Sequence, residues 1–179
     1  MSHLLAKERG FTLFELLAVI VIVGILAAIG IPSLVRLVNA SKVRDAQAQV
    51  QGIIRGAQRQ ALLKSTDCEL QFNNISSPPV TISDTNTTST VACLTASTLK
   101  LPQDVKIVTN LSGTPPKLAF NFKGRSNKAG TIVFYSDKAK QKRCLVIALY
   151  MGMMRAGEYT GAVTDTLDPT LCNTATNTL

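Results

Sequence analysis

The sequence predicts an α+β fold: one long N-terminal helix followed by a head of short antiparallel strands. Three observations carry that expectation. The stretch FTLFELLAVIVIVGILAAIGIPSLV, residues 11–35, is apolar throughout and holds a single charge, Glu15. Behind it, Val43, Ala46, Val50, Ile53, Ile54, Ala57 and Ala61 recur at spacings of three and four, the signature of a one-sided amphipathic helix. From residue 68 onward the pattern changes to short β-type runs separated by turn residues.

The first element is long enough to cross a bilayer. Residues 16–35 are 20 uncharged residues, which at about 1.5 Å each span roughly 30 Å, the thickness of the hydrocarbon layer. Lys7 and Arg9 precede the run and place the N-terminus on the cytoplasmic side, with the rest of the chain exported. A cleaved secretory signal has the same order of basic and apolar regions, and Ala28-Ile29-Gly30 would be its small-residue cleavage site. Glu15 weighs against that reading and against a plain anchor. An acid inside a membrane helix costs on the order of 2.5–3.5 kcal/mol on insertion scales and calls for a partner. Pro32 is expected to bend the helix, in a region that Gly24 and Gly30 also loosen.

The second element occupies residues 36–65. Lys42, Arg44, Asp45, Gln49, Arg55 and Arg59 stand among its polar positions, and no proline interrupts residues 33–77. A single helix from about residue 12 to about residue 64 would be about 80 Å long. Its first half should lie in membrane or filament core, its second half against the head.

The head spans residues 66–179. Strands are expected at Glu69–Phe72, Val80–Ile82, Val91–Leu94 and Val105–Thr109. KLAFNF places Leu118, Phe120 and Phe122 on one face by alternation, and TIVFYS does the same for Ile132 and Phe134. These two runs flank the loop KGRSNKAG as a hairpin. RCLVIALYM, 143–151, reads as one buried strand. SDTNTTST (83–90) and the C-terminal TGAVTDTLDPTLCNTATNTL read as exposed, Thr-rich loops. A single sheet should pack one face on the helix.

The N-terminal residues Gly10-Phe11-Thr12-Leu13-Phe14-Glu15, after a short basic leader and before the apolar helix, resemble the type IV prepilin signature. The resemblance implies a type IV pilin fold and a leader, residues 1–10, that prepilin peptidase removes between Gly10 and Phe11. It also implies methylation of the new Phe11 amino group. Glu15 would then pair with the Phe11 ammonium of a neighbouring subunit, since either charge alone is costly to bury and the pair is tolerable. The head is similar to the GspH/FimT group of minor pilins and pseudopilins through two segments, the GRSNKAG loop with its flanking strands and the late run MGMMRAGEY. The partners implied are other pilin or pseudopilin subunits, prepilin peptidase, the inner-membrane assembly machinery, and membrane lipid before assembly. The implied location is the bacterial inner membrane, then a pilus or pseudopilus at the cell surface or in the periplasm. Pilus and type II secretion pseudopilus both remain open.

Cys68, Cys93, Cys144 and Cys172 all follow the membrane segment, and an even number in an exported domain favours disulfides. No CxxC pair occurs and the only histidine, His3, lies in the leader, so no metal site is expected. Of three possible pairings, Cys68–Cys93 with Cys144–Cys172 is favoured, because each closes one loop around a Thr-rich segment. Each bond would contribute roughly 3–4 kcal/mol.

Charge supplies the last candidate site. The chain carries 19 Lys+Arg against 11 Asp+Glu, a net charge of +8. The basic residues concentrate in 117–155: Lys117, Lys123, Arg125, Lys128, Lys138, Lys140, Lys142, Arg143 and Arg155, with Asp137 as the only acid. Lys123, Arg125, Lys128, Lys140, Lys142, Arg143 and Arg155 are candidates for contact with duplex DNA, because phosphate neutralisation releases counterions. FimT-like minor pilins include DNA receptors with an Arg-containing, Gly-rich C-terminal motif, which here only GMMRAG resembles, with Arg155 and no second arginine. Solubilising lysines in turns, or contact between pilins, account for the same residues.

Enzyme classes find little support. No P-loop or dinucleotide fingerprint occurs, and without a histidine after cleavage no Ser-His or Cys-His scheme is possible. No catalytic residue and no cofactor is expected. The leading expectation is a subunit that assembles into or caps a type IV pilus-like filament. The alternatives are a pilus-borne DNA receptor and a secretion pseudopilin whose head contacts exported protein.

Overall fold

The computed structural model describes residues 11–85, 92–94, 98–164 and 166–173. Among the described residues, a long helix, α1 (Leu13–Lys64), is followed by the strands β1 (Cys68–Asn73), β2 (Thr81–Asp84), β3 (Thr98–Lys100), β4 (Lys106–Thr109), β5 (Lys117–Phe120), β6 (Gly130–Tyr135), β7 (Arg143–Ile147), β8 (Met154–Tyr159) and, after a 3-10 turn at Pro169–Leu171, β9 (Cys172–Asn173). The fold is α+β. The helix up to Arg36 forms one unit, and the chain from Leu37 onward forms another.

In the first unit the apolar run is helical and bare. Leu13, Phe14, Ile20, Ile25 and Ile29 are all exposed. α1 is long and apolar enough to cross a membrane, and none of its most apolar window is buried. A helix apolar on every side, rather than along one stripe, lacks the polar face of an ordinary surface helix.

In the second unit the apolar stripe of α1 enters a core. Val43, Ala46, Val50, Ile54, Ala57 and Ala61 are fully buried, while Arg44, Asp45, Arg55 and Arg59 face outward. The strands form two antiparallel sheets rather than the single sheet expected from sequence. One has the order β3-β2-β1-β5, the other β4-β6-β7-β8-β9. Leu70, Phe72, Ile82, Leu118 and Phe120 of the first sheet join Ile107, Ile132, Phe134, Leu145 and Ile147 of the second in one cluster with the helix stripe. Burial of a large apolar side chain stabilises by roughly 1.5–3 kcal/mol, so the three buried phenylalanines Phe72, Phe120 and Phe134 anchor this junction. Gln47, like Asn39, is a buried polar residue of the helix. Its buried Nε2 donates to the Cys144 carbonyl at 2.6 Å and to the Gly157 carbonyl at 3.2 Å, tying α1 to β7 and β8.

Several local expectations are corrected. β5 and β6 do not form a hairpin: β5 pairs with β1, and β6 pairs with β4 and β7. Alternation in KLAFNF stops at Phe120. Asn121 turns the chain by accepting the backbone N–H groups of Lys123 and Arg125, and Phe122 is left exposed. Ala92–Leu94 is not a strand; Cys93 is held in a bend by its disulfide, and the strand that pairs with β2 is Thr98–Lys100. Val91 and residues 86–90 lie outside the described residues. RCLVIALYM divides at Ile147, after which the chain turns through Tyr150 (φ +64) and Gly152 (φ +63) into β8. The C-terminal segment is not wholly exposed. Leu167 and Cys172 are buried with Val133, Cys144 and Tyr159, a second cluster on the far face of the second sheet.

Candidate assembly and binding sites

The N-terminal site is built from the first turn of α1. Thr12 caps the helix: its hydroxyl accepts the Glu15 backbone N–H at 3.2 Å. In return Glu15 Oε2 accepts the Thr12 backbone N–H at 3.0 Å and the Thr12 hydroxyl at 3.1 Å. This is a capping box, which satisfies backbone donors that the first turn leaves orphaned. Phe11 is highly exposed, and Phe11, Glu15 and Val19 line one groove at i, i+4 and i+8 along the helix start. Thr12 was not singled out from sequence, although the T-x-x-E spacing was there to be read. Gly10, the residue before the expected cut, lies outside the described residues.

The four cysteines are joined as Cys68–Cys93 and Cys144–Cys172. The first bond fastens β1 to the bend before β3. The second fastens β7 to β9, holding the C-terminal segment over the second sheet. Among the described residues no group of His, Cys, Asp or Glu could hold a metal ion.

The basic residues do not form one surface. The KGRSNK loop precedes β6 and the DKAKQKR turn follows it, so they stand at opposite ends of the second sheet. A six-residue strand separates its ends by roughly 17–20 Å. Arg143 is corrected as a surface candidate. It is buried in β7 on the side shared with Leu145 and Ile147, and its Nε has no hydrogen-bond partner among the described residues. Others are occupied within the chain. Lys138 and Lys42 both hold Asp104, at 3.1 and 2.8 Å. Lys117 holds Glu69 at 2.8 Å. Lys128 donates to the Ser112 carbonyl, Lys142 to that of Gly161 and Arg155 to that of Pro169. Lys123, Arg125 and Lys140 are exposed, with Lys123 Nζ 5.3 Å from the centre of the Phe122 ring.

These ion pairs shift acids. Lys117 holds Glu69 below the usual carboxylate range, with help from the Thr85 hydroxyl and against partial burial. Asp104 is lowered by Lys42 and Lys138.

An exposed apolar helix with an acid in its first turn thus precedes a disulfide-bonded head. Residues 5–31 match the family model described as the prokaryotic N-terminal methylation motif. The chain is also similar to the structure of the minor pseudopilin EpsH from the Type 2 Secretion System of Vibrio cholerae. The sequence identity is 13%, the match covers 64% of this chain and 94% of that one, and the TM-score is 0.46. No curated protein matches the chain.

Proposed function

We propose that the chain is a minor subunit of a type IV pilus-like filament, structural rather than catalytic. Prepilin peptidase removes the leader after Gly10 and Phe11 is methylated. Before assembly the apolar half of α1 resides in the inner membrane, N-terminus inside and head exported. On assembly it moves into the filament core, where Glu15 meets the Phe11 ammonium of a neighbour. The observation that carries the reading is the methylation motif, residues 5–31, running directly into a helix whose apolar residues are unburied on every side. Such a helix can be satisfied only by lipid or by other helices.

The exported head's disulfides support the location. The DNA-receptor reading is less favoured. Burial of Arg143, the internal partners of Lys128, Lys142 and Arg155, and the two-ended layout of the remainder leave no continuous track for a phosphate backbone.

Mass spectrometry of the N-terminal peptide from membrane-purified protein tests the proposal. The expected peptide begins at Phe11 and carries one methyl group. A chain beginning at Ile31, or one that retains Met1, would overturn it.

A further inference from the structure

Large apolar side chains stand exposed where the loop after β5 meets the turn between β7 and β8. Tyr150, Met151 and Met153 are there, with Leu62 of the last turn of α1 beside them, and the exposed Phe122 precedes Lys123 in the loop. Tyr150 is 67% and Met151 68% exposed. They are held outward by a fixed backbone. The Tyr150 N–H donates to the Ser126 carbonyl, the Ala148 N–H to that of Met153 and the Gly152 N–H to that of Ala148. Gln58 Nε2 donates to the Gly124 carbonyl at 2.8 Å, fastening the loop to α1. Tyr150 takes a left-handed φ of +64, which its Cβ disfavours. A strained backbone that displays hydrophobic side chains is the mark of a binding surface rather than of a solvated turn.

Charge selects the occupant. Lys123 and Arg125 line the groove with Tyr150, Met151 and Met153, and among the described residues no carboxylate does, the nearby Asp67 being turned to the Phe122 backbone N–H, which it accepts at 3.1 Å. The net charge of +8 opposes a second copy. The head's own Glu69, Asp104 and Asp137 are held by its lysines. Paired methionines beside aromatic rings suit an apolar side chain, and two cations are few for a nucleic-acid backbone.

We propose that this end of the head docks an acidic segment of a different protein, which seats an apolar side chain against Tyr150, Met151 and Met153 and places carboxylates on Lys123 and Arg125. The surface lies wholly within the unit from Leu37 onward, so it stands independently of the leader and filament reading.

The test uses the full chain in detergent micelles and fluorescence anisotropy, with empty micelles as background. The probe is a labelled peptide of sequence Glu-Asp-Leu-Phe-Asp-Glu. Comparators replace its Leu-Phe by Ser-Ser, or its acids by Lys, and a thymidine 20-mer represents single-stranded nucleic acid. The acidic apolar peptide should bind and both altered peptides should bind at least tenfold more weakly. Lys123→Glu, Arg125→Glu and Met151→Ser should each weaken binding about tenfold. Tyr150→Asn, which tolerates the left-handed backbone, should do the same. Lys140→Glu, at the far end of the sheet, should leave binding unchanged. Unchanged thermal melting of each variant keeps a loss of binding from being a loss of folding. The proposal is overturned by no peptide binding, by equal binding of the Ser-Ser peptide, or by tighter binding of the oligonucleotide through the same residues.

Discussion

The structure gives Glu15 one role and the proposed filament would give it a second, which one pair of substitutions separates. Within the chain it closes the capping box, accepting two hydrogen bonds from Thr12 at 3.0 and 3.1 Å. Between chains, in the proposed filament, it neutralises the Phe11 ammonium of a neighbour. Glu15→Ala removes both roles; Glu15→Gln keeps a carbonyl acceptor, which serves in a capping box, and removes the charge. Loss of the box costs about 1 kcal/mol, a factor of about five in the population of the ordered first turn. An ammonium left unpaired in low dielectric costs about 3–5 kcal/mol, a factor of more than a hundred in subunit docking. Both variants should therefore insert in the membrane at least as well as the parent, since an acid has left the bilayer. Both should nearly vanish from sheared filaments, with Gln rescuing by no more than about fivefold. Immunoblots of the membrane and sheared-filament fractions give the ratio. Parental assembly by Glu15→Gln would confine Glu15 to capping its own helix and refute the pairing.

Three further outcomes follow from the head. Gln47→Met keeps the side chain's length but withdraws the donor from the Cys144 and Gly157 carbonyls, so it should cost about 1–3 kcal/mol in chemical denaturation. Replacing Cys144 and Cys172 together by Ala opens a separation of 28 residues and should cost about 3.5 kcal/mol in the same assay, with the C-terminal segment becoming the first site of limited proteolysis. Glu69 has a lowered pKa in the folded chain, so its ion pair with Lys117 stabilises above the unfolded value of 4.5 and that contribution is lost as pH falls through the folded value. Thermal melts of Lys117→Gln should accordingly lose less stability between neutral and acid pH than the parent.

The helix was legible because two signals follow one another along it: a run apolar on every side, then a stripe at spacings of three and four whose members are buried except for the half-buried Ile53. The α+β class followed from the change to strand-like runs. The division into two sheets did not, because alternation tells which face of a strand is buried and not which strand lies beside it. Arg143 was misread for a related reason. DKAKQKR looks like one solvated turn, but β7 begins at its last residue, and two-residue alternation with Leu145 and Ile147 then carries the guanidinium inward. The run ALYM failed in the opposite sense. Four apolar residues directly after LVI read as more strand, yet the backbone leaves the sheet at Ile147 and displays Tyr150 and Met151 to solvent, with Tyr150 left-handed and without glycine's freedom. A sequence violates its own local rules at a cost in stability, and such violations persist where function requires them. Leu149–Met153 breaks two rules at once, hydrophobic exposure and backbone preference, and does so beside Lys123 and Arg125, exposed basic residues of the loop after β5. A turn whose only task was to join β7 to β8 would be more stable with Asn or Gly at position 150 and polar residues around it. The exposed ring and thioethers, with Lys123 and Arg125 beside them, are what the proposed acidic partner would cover.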